Sequence, residues 1–330
     1  MDLPQSELSG TNEVLVYCTR CGTSSQAESR FCTDCGASLS DLPQAPPALF
    51  NAVGVGWYFA AFALVFFSAV PAVFFDQLFH ALLVVTVLTY GGLTLFSVWA
   101  IGRGKLVLEH LTGHIPSHYS WRSAIFLVVG MIAYSLSAEW ITYYPIAINW
   151  PEAYQEFLNQ RLFLTRQDVA DPVLYNILMV ATLVVIAPLV EEIFFRMLVF
   201  PRLSLKWGTT AGIIVSSLMF ASLHDMAWVG AFVFGVASCA LYMRTRTILI
   251  PIAVHSLNNA LAALLGWWAI EQGWDTTFDP TALQTELYTA IVLLVLASPV
   301  VFGLIGRWWP TKGDQLPYFV NRDARRSNTM

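Results

Sequence analysis

Charge is what this chain has least of. Only 12% of its 330 residues are Asp, Glu, Lys or Arg, against 56% hydrophobic. Soluble domains carry about 25% charged residues, so the composition excludes an ordinary soluble fold and points to a bilayer. The few Lys and Arg residues form no basic stripe, and the net charge of −5 is spread over loops and tails. Nucleic acid is therefore not expected as a partner. A cleavable signal peptide is also missing, because roughly the first 50 residues are polar, and the first apolar segment reads as a genuine span. Beyond residue 36 there is one cysteine, Cys239, which reads as packing. No pair of interrupted helices recurs along the chain, which counts against a transporter.

What the sequence does have is long apolar runs. Spans are expected at 52–75, 79–101, 121–143, 173–200, 208–224, 227–243, 247–269 and 286–306. Each is close to the roughly 17–25 residues that a crossing helix needs. Lipid offers no partner to open backbone groups, so all should be helical. The expected fold class is all-α: a polytopic membrane protein of about eight transmembrane helices, preceded by a small cysteine-rich head. Residues 1–40 form the head, 41–50 a linker stiffened by Pro43, Pro46 and Pro47, 51–310 the membrane domain and 311–330 a tail. Arg103, Lys105, Arg122, Arg202, Lys206, Arg244, Arg246 and Arg307 fall on alternate loops, and the acidic residues mostly on the others. That bias places both termini in the cytosol, with a prokaryotic plasma (inner) membrane as the expected location. The tail, with Arg322, Arg325 and Arg326, is expected on the anionic leaflet or disordered.

The head reads Cys18-Thr19-Arg20-Cys21-Gly22 and Cys32-Thr33-Asp34-Cys35-Gly36. Two thiolate pairs, each followed by a glycine that permits a tight turn, supply four soft ligands for a structural Zn²⁺. A reducing cytosol disfavours the alternative, disulfides. So small an apolar content should not fold without its metal. Residues 15–40 resemble a zinc ribbon, a module that binds proteins or nucleic acids, and a protein partner for the head is the expectation here.

Ionisable residues nevertheless interrupt three apolar runs: Glu191, Glu192 and Arg196; His224, one turn after Phe220; and His255 with Asn259. A charge or imidazole at membrane depth is costly and is normally retained for a task, facing a protein-lined cavity. Neighbouring glutamates diverge by about 100° on a helix, so Glu191 and Glu192 should have different roles. Glu192 and Arg196, four apart, can pair on one face, and that pair could simply lock the helix. Pro188 permits a kink just before them. His255 and Asn259 share a face and could equally form an interhelical hydrogen bond. Together these groups make a plausible hydrolytic site: a carboxylate as general base toward water, imidazoles to orient that water or protonate the leaving amine, and Asn259 for the oxyanion. Glu191, His224 and His255 could instead hold a catalytic zinc. One tension stands against convergence. Straight helices would separate His224 from Glu191 and His255 by about 15–20 Å, unless Gly208, Thr209, Thr210 and Gly212 shift the start of span five.

The order Glu-Glu-x-x-x-Arg, Phe-x-x-x-His, His-x-x-x-Asn resembles the CPBP intramembrane proteases, which include type II CAAX prenyl endopeptidases and Abi-type bacteriocin-immunity proteins. The resemblance covers about residues 173–270. It implies an intramembrane (metallo)endopeptidase acting on a membrane-associated protein or peptide. In it Glu191 activates water with His224, Glu192 supports it, and His255 and Asn259 complete the site and the oxyanion hole. Met197 stands where the family often has glycine. A non-catalytic scaffold or immunity protein of the same fold is the alternative, and a transporter is a more distant one. Outside this region, Glu109, His110, His114 and His118 read as a solvated loop, since Gly113 and Pro116 interrupt a helix. Glu139, beside Trp140, reads as interfacial, and residues 144–172 as an outer amphipathic lid.

Overall fold

The computed structural model describes residues 15–18, 23–26, 29–34, 36–39, 50–68, 78–158, 163–166, 171–224, 227–272 and 282–328. The chain is an all-α polytopic membrane protein. Among the described residues, helices long and apolar enough to cross a bilayer are α2 (Ala81–Gly104), α4 (Trp121–Asn149), α6 (Val173–Trp207), α8 (Trp228–Thr245), α9 (Leu249–Glu271) and α10 (Leu283–Trp308). Two shorter apolar helices, α1 (Val55–Phe66) and α7 (Thr209–Ala221), take the places of the first and fifth expected spans. Short helices α3 (Leu108–Thr112), α5 (Pro151–Leu158) and α11 (Pro317–Asn328) complete the set.

In the head, strands β1 (Leu15–Tyr17) and β2 (Ser24–Gln26) pair antiparallel. Cys18 N–H donates to Thr23 O, and Cys32 and Leu39 are buried with Cys18. Gly36 N–H closes a turn onto Cys32 O, and its φ of +69° needs a glycine. Cys21 and Cys35 lie outside the described residues, as does most of the linker.

α8 is the most enclosed span, because small residues let its neighbours approach closely. A Cβ at Gly230 would lie 2.4 Å from Ser135 Oγ on α4, and one at Gly235 would lie 2.9 Å from Ser217 Cβ on α7. The same device closes the α6–α7 hairpin, where a Cβ on Gly212 would come within 2.1 Å of Ser204 Oγ. The chain reverses at Gly208, whose φ is +88°.

This hairpin removes the tension in depth. Span four does not end at residue 200. The polar stretch after Pro201 continues as helix to Trp207, burying Leu203 and Leu205, with Arg202 Nε donating to Val53 O. Glu191 then lies 17 positions before Gly208, and His224 lies 16 after it. At about 1.5 Å per residue both stand some 24 Å from the turn, at one level. The α8–α9 hairpin is similarly balanced about Arg246, with Ser238 eight positions before and His255 nine after.

The Lys- and Arg-bearing turns gather on one face. Ile248 N–H donates to Thr112 O, and Asn321 Nδ2 donates to both His110 O and Arg246 O. The described part of the tail is ordered, with a helix over Pro317–Asn328. Leu316, Tyr318 and Phe319 are buried, Phe50 packs on both rings, and Arg325 contacts Glu109 and His114. Exposed apolar side chains would otherwise remain on this face, so burial overrides the tail's positive charge.

Candidate active site

Pro188 sets up the local geometry. Thr182–Ile186 of α6 is a π stretch, in which Ala187 N–H reaches back to Thr182 O. In that register the next donor, for Leu183 O, would come from residue 188, and proline has no N–H. Asn259 on α9 takes its place, with Nδ2 donating to Leu183 O at 2.9 Å. A second π stretch, Glu192–Val199, begins directly after Glu191. Such bulges rotate the side chains that follow them and recur at functional sites.

Glu192 is wholly buried and closely held. It accepts from Ser238 Oγ at 2.7 Å and from His255 Nδ1 at 2.9 Å, and Arg196 Nε lies 3.3 Å away. None of the Arg196 nitrogens makes a well-aligned hydrogen bond. Its charge is met by Glu192 and by the face of Phe220, 4.3 Å from the guanidinium carbon. Glu191 has looser surroundings. Tyr90 Oη donates to its Oε1 at 3.3 Å, and its Oε2 stands 3.9 Å from His255 Nε2. The two carboxylates thus face opposite nitrogens of one imidazole.

These contacts orient both rings. A carboxylate or a carbonyl only accepts, so His255 donates from Nδ1 to Glu192 and turns its Nε2 toward Glu191. His224 Nδ1 lies 2.8 Å from Phe220 O and donates there, leaving Nε2 as its lone-pair nitrogen. His224 is within electrostatic reach of Glu191, His255 and Arg196. The Phe220 ring packs against both imidazoles, at centroid distances of 4.4 Å and 5.8 Å. His224, His255, Asn258 and Asn259 line a cavity of about 500 Å³ with otherwise largely apolar walls, including Leu136, Phe234 and Leu265. Asn258 Nδ2 donates to Asn259 Oδ1 at 3.4 Å, and Asn258 Oδ1 is buried without a partner.

Residues 173–261 match the Rce1-like family model. Its description is type II CAAX prenyl endopeptidase Rce1-like. The matched stretch runs from the start of α6 into α9 and contains Glu191, Glu192, Arg196, His224, His255 and Asn259. It supports a membrane-embedded protease core and leaves out the head, α1–α5, α10 and α11. Comparison with curated proteins and with solved structures returns no match.

The structure brings together all six membrane residues singled out in the sequence. As donors, a carboxylate and two Nε2 lone pairs suit an open zinc site. Among the described residues, however, no three His, Cys, Asp or Glu side chains converge at ligand geometry. Tyr90, Ser238 and Asn258 escaped the sequence reading. Ser238 had one usable signal, its balance with His255 about the Arg246 turn. Cys239 packs as expected, buried with Ser216 Oγ at 3.6 Å. His114 and Glu109 contact Arg325.

Proposed function

We propose that the chain is an intramembrane endopeptidase that hydrolyses a peptide bond of a membrane-associated protein or peptide, in the manner of the CAAX proteases. The observation that carries this reading is Glu191 within reach of two imidazoles whose rings line one cavity. Water held between Glu191 and His224 Nε2 gives a proton to Glu191 as its oxygen attacks the scissile carbonyl. Asn259 has one amide N–H on Leu183 O, and its second N–H serves the developing oxyanion. Collapse of the tetrahedral intermediate breaks the C–N bond, and the proton held by Glu191 passes to the leaving amine. Glu192, with Ser238 and Arg196, orients His255 and holds its Nδ1 proton. In this reading Glu192 is a positioning residue. The Lys- and Arg-rich face is cytosolic, in a prokaryotic inner membrane, by the positive-inside bias. In the head, Cys18, Cys21, Cys32 and Cys35 hold a structural zinc and present a surface for a protein partner.

Replacing Glu191 by Gln keeps the shape and removes the base. Membrane-protein N-termini generated by the wild-type chain should be absent with Glu191→Gln, while the variant unfolds at an unchanged temperature in detergent. Identical termini from the two chains would overturn the assignment.

A further inference from the structure

Glu139 is the ionisable side chain that lines the cavity besides the two imidazoles. It comes from α4, outside the matched segment. At the outer end of that helix it lines the wall shared with His224 and His255. Among the described residues it makes no hydrogen bond or ion pair, and burial is what acts on it. An unpaired carboxylate in an apolar cavity is costly, and structural packing gives no reason to keep it.

Its position along the cavity is informative. The lining residues of α9 form a stripe from His255 through Asn259, Ala262 and Gly266 to Trp268, so the cavity runs from the imidazoles away from the Arg-rich face. Glu139 is 18 positions into α4 and His255 six into α9, both counted from that face. The difference corresponds to about 15–20 Å, or roughly four to six residues of extended chain. Trp268 lines the same distal end. The Tyr154 hydroxyl on α5 is pushed up to about 12, first by burial and then by the charges of Glu286 and Glu139. Among the described residues, no Lys or Arg lines the cavity.

We propose that Glu139 is a specificity-determining residue, which binds a Lys or Arg side chain of the peptide substrate about four to six residues from the bond that is cut. The assignment rests on the protease reading. An ammonium or guanidinium supplies the charge-assisted hydrogen bonds that Glu139 lacks, and a neutral side chain leaves the half-buried carboxylate unpaired.

The test compares membrane-protein N-termini from cells expressing full-length wild-type, Glu191→Gln or Glu139→Gln chains. Bonds cut by the wild type and spared by Glu191→Gln define the substrate set. An empty set overturns the protease reading, and this assignment with it. A filled set should show Lys or Arg enriched about four to six residues to one side of the cut, with the enrichment lost for Glu139→Gln. A filled set without that enrichment, or with enrichment equal in both chains, overturns the role of Glu139 and leaves the protease reading intact. Should Glu139→Gln fail to fold, wild-type enzyme in proteoliposomes is given a synthetic peptide of the best-cut site with its basic residue or with norleucine there. A fall in kcat/KM of about tenfold or more is expected, and equal cleavage of the two peptides overturns the assignment.

Discussion

Glu191 and Glu192 differ by one position and by nearly everything around them. Glu192 accepts from Ser238 and His255 and balances Arg196, all out of water, so it is committed to holding its neighbours. Glu191 keeps one long hydrogen bond, from Tyr90, and a looser approach to His255. That difference is why Glu191 is assigned the proton transfer. Tyr90 is then a positioning residue. For Tyr90→Phe, kcat should fall about tenfold with KM unchanged and unfolding temperature nearly so, since one neutral hydrogen bond contributes only about 1 kcal/mol to stability. Steady-state kinetics beside a thermal melt checks this, and an equal loss in both measurements would make Tyr90 merely structural. The glutamates and histidines were legible in the sequence because charge among apolar residues is conspicuous. Tyr90 and Ser238 were not, because tyrosine and serine are ordinary in membrane helices and only a contact distinguishes a working one.

At the scale of elements, two features align the site: π stretches on either side of Glu191, and hairpins whose arms are nearly equal about Gly208 and Arg246. The order of the apolar helices followed from run length, but two of the eight expected spans, α1 and α7, are shorter than a bilayer crossing. The end of α6 did not, because a stretch that is polar on one face and begins with proline reads as a loop until Leu203 and Leu205 are seen to be buried. Gly212 sits where α7 crosses α6. Gly212→Ala brings a methyl against Ser204 Oγ and backbone N, at 2.1 Å and 2.8 Å, so the helices must part. A loss of about 1–3 kcal/mol in unfolding free energy is expected. Adding Ser204→Gly should restore part of it, because the hydroxyl is removed and the backbone contact stays. Equal stability of Gly212→Ala and wild type would show that the crossing is not tight.

At the scale of the molecule, a cysteine-bearing head precedes a membrane domain capped by short helices on its Lys- and Arg-bearing face. Purified full-length protein is expected to carry one zinc per chain by elemental analysis, as four thiolates fill one tetrahedral site. Cys18→Ser and Cys32→Ser should each lower that content sharply while the helical circular-dichroism signal of the membrane domain persists. Zinc-free wild-type protein, prepared without chelator, would remove the zinc proposal. The docking of the tail was not legible, because its arginines drew attention while Leu316, Tyr318 and Phe319 pack it against Phe50 and α3.

From the sequence alone came the membrane class, the all-helical architecture and the chemical identity of the site residues. Those properties depend on hydrophobicity, run length and charge, which are carried by each segment independently of its neighbours. Tertiary structure decided which carboxylate is closely held and which loosely, which imidazole nitrogen faces which partner, and that Glu139 lines the same cavity. Each of these depends on where two helices end and how closely they cross, and contacts between residues far apart in the chain set both.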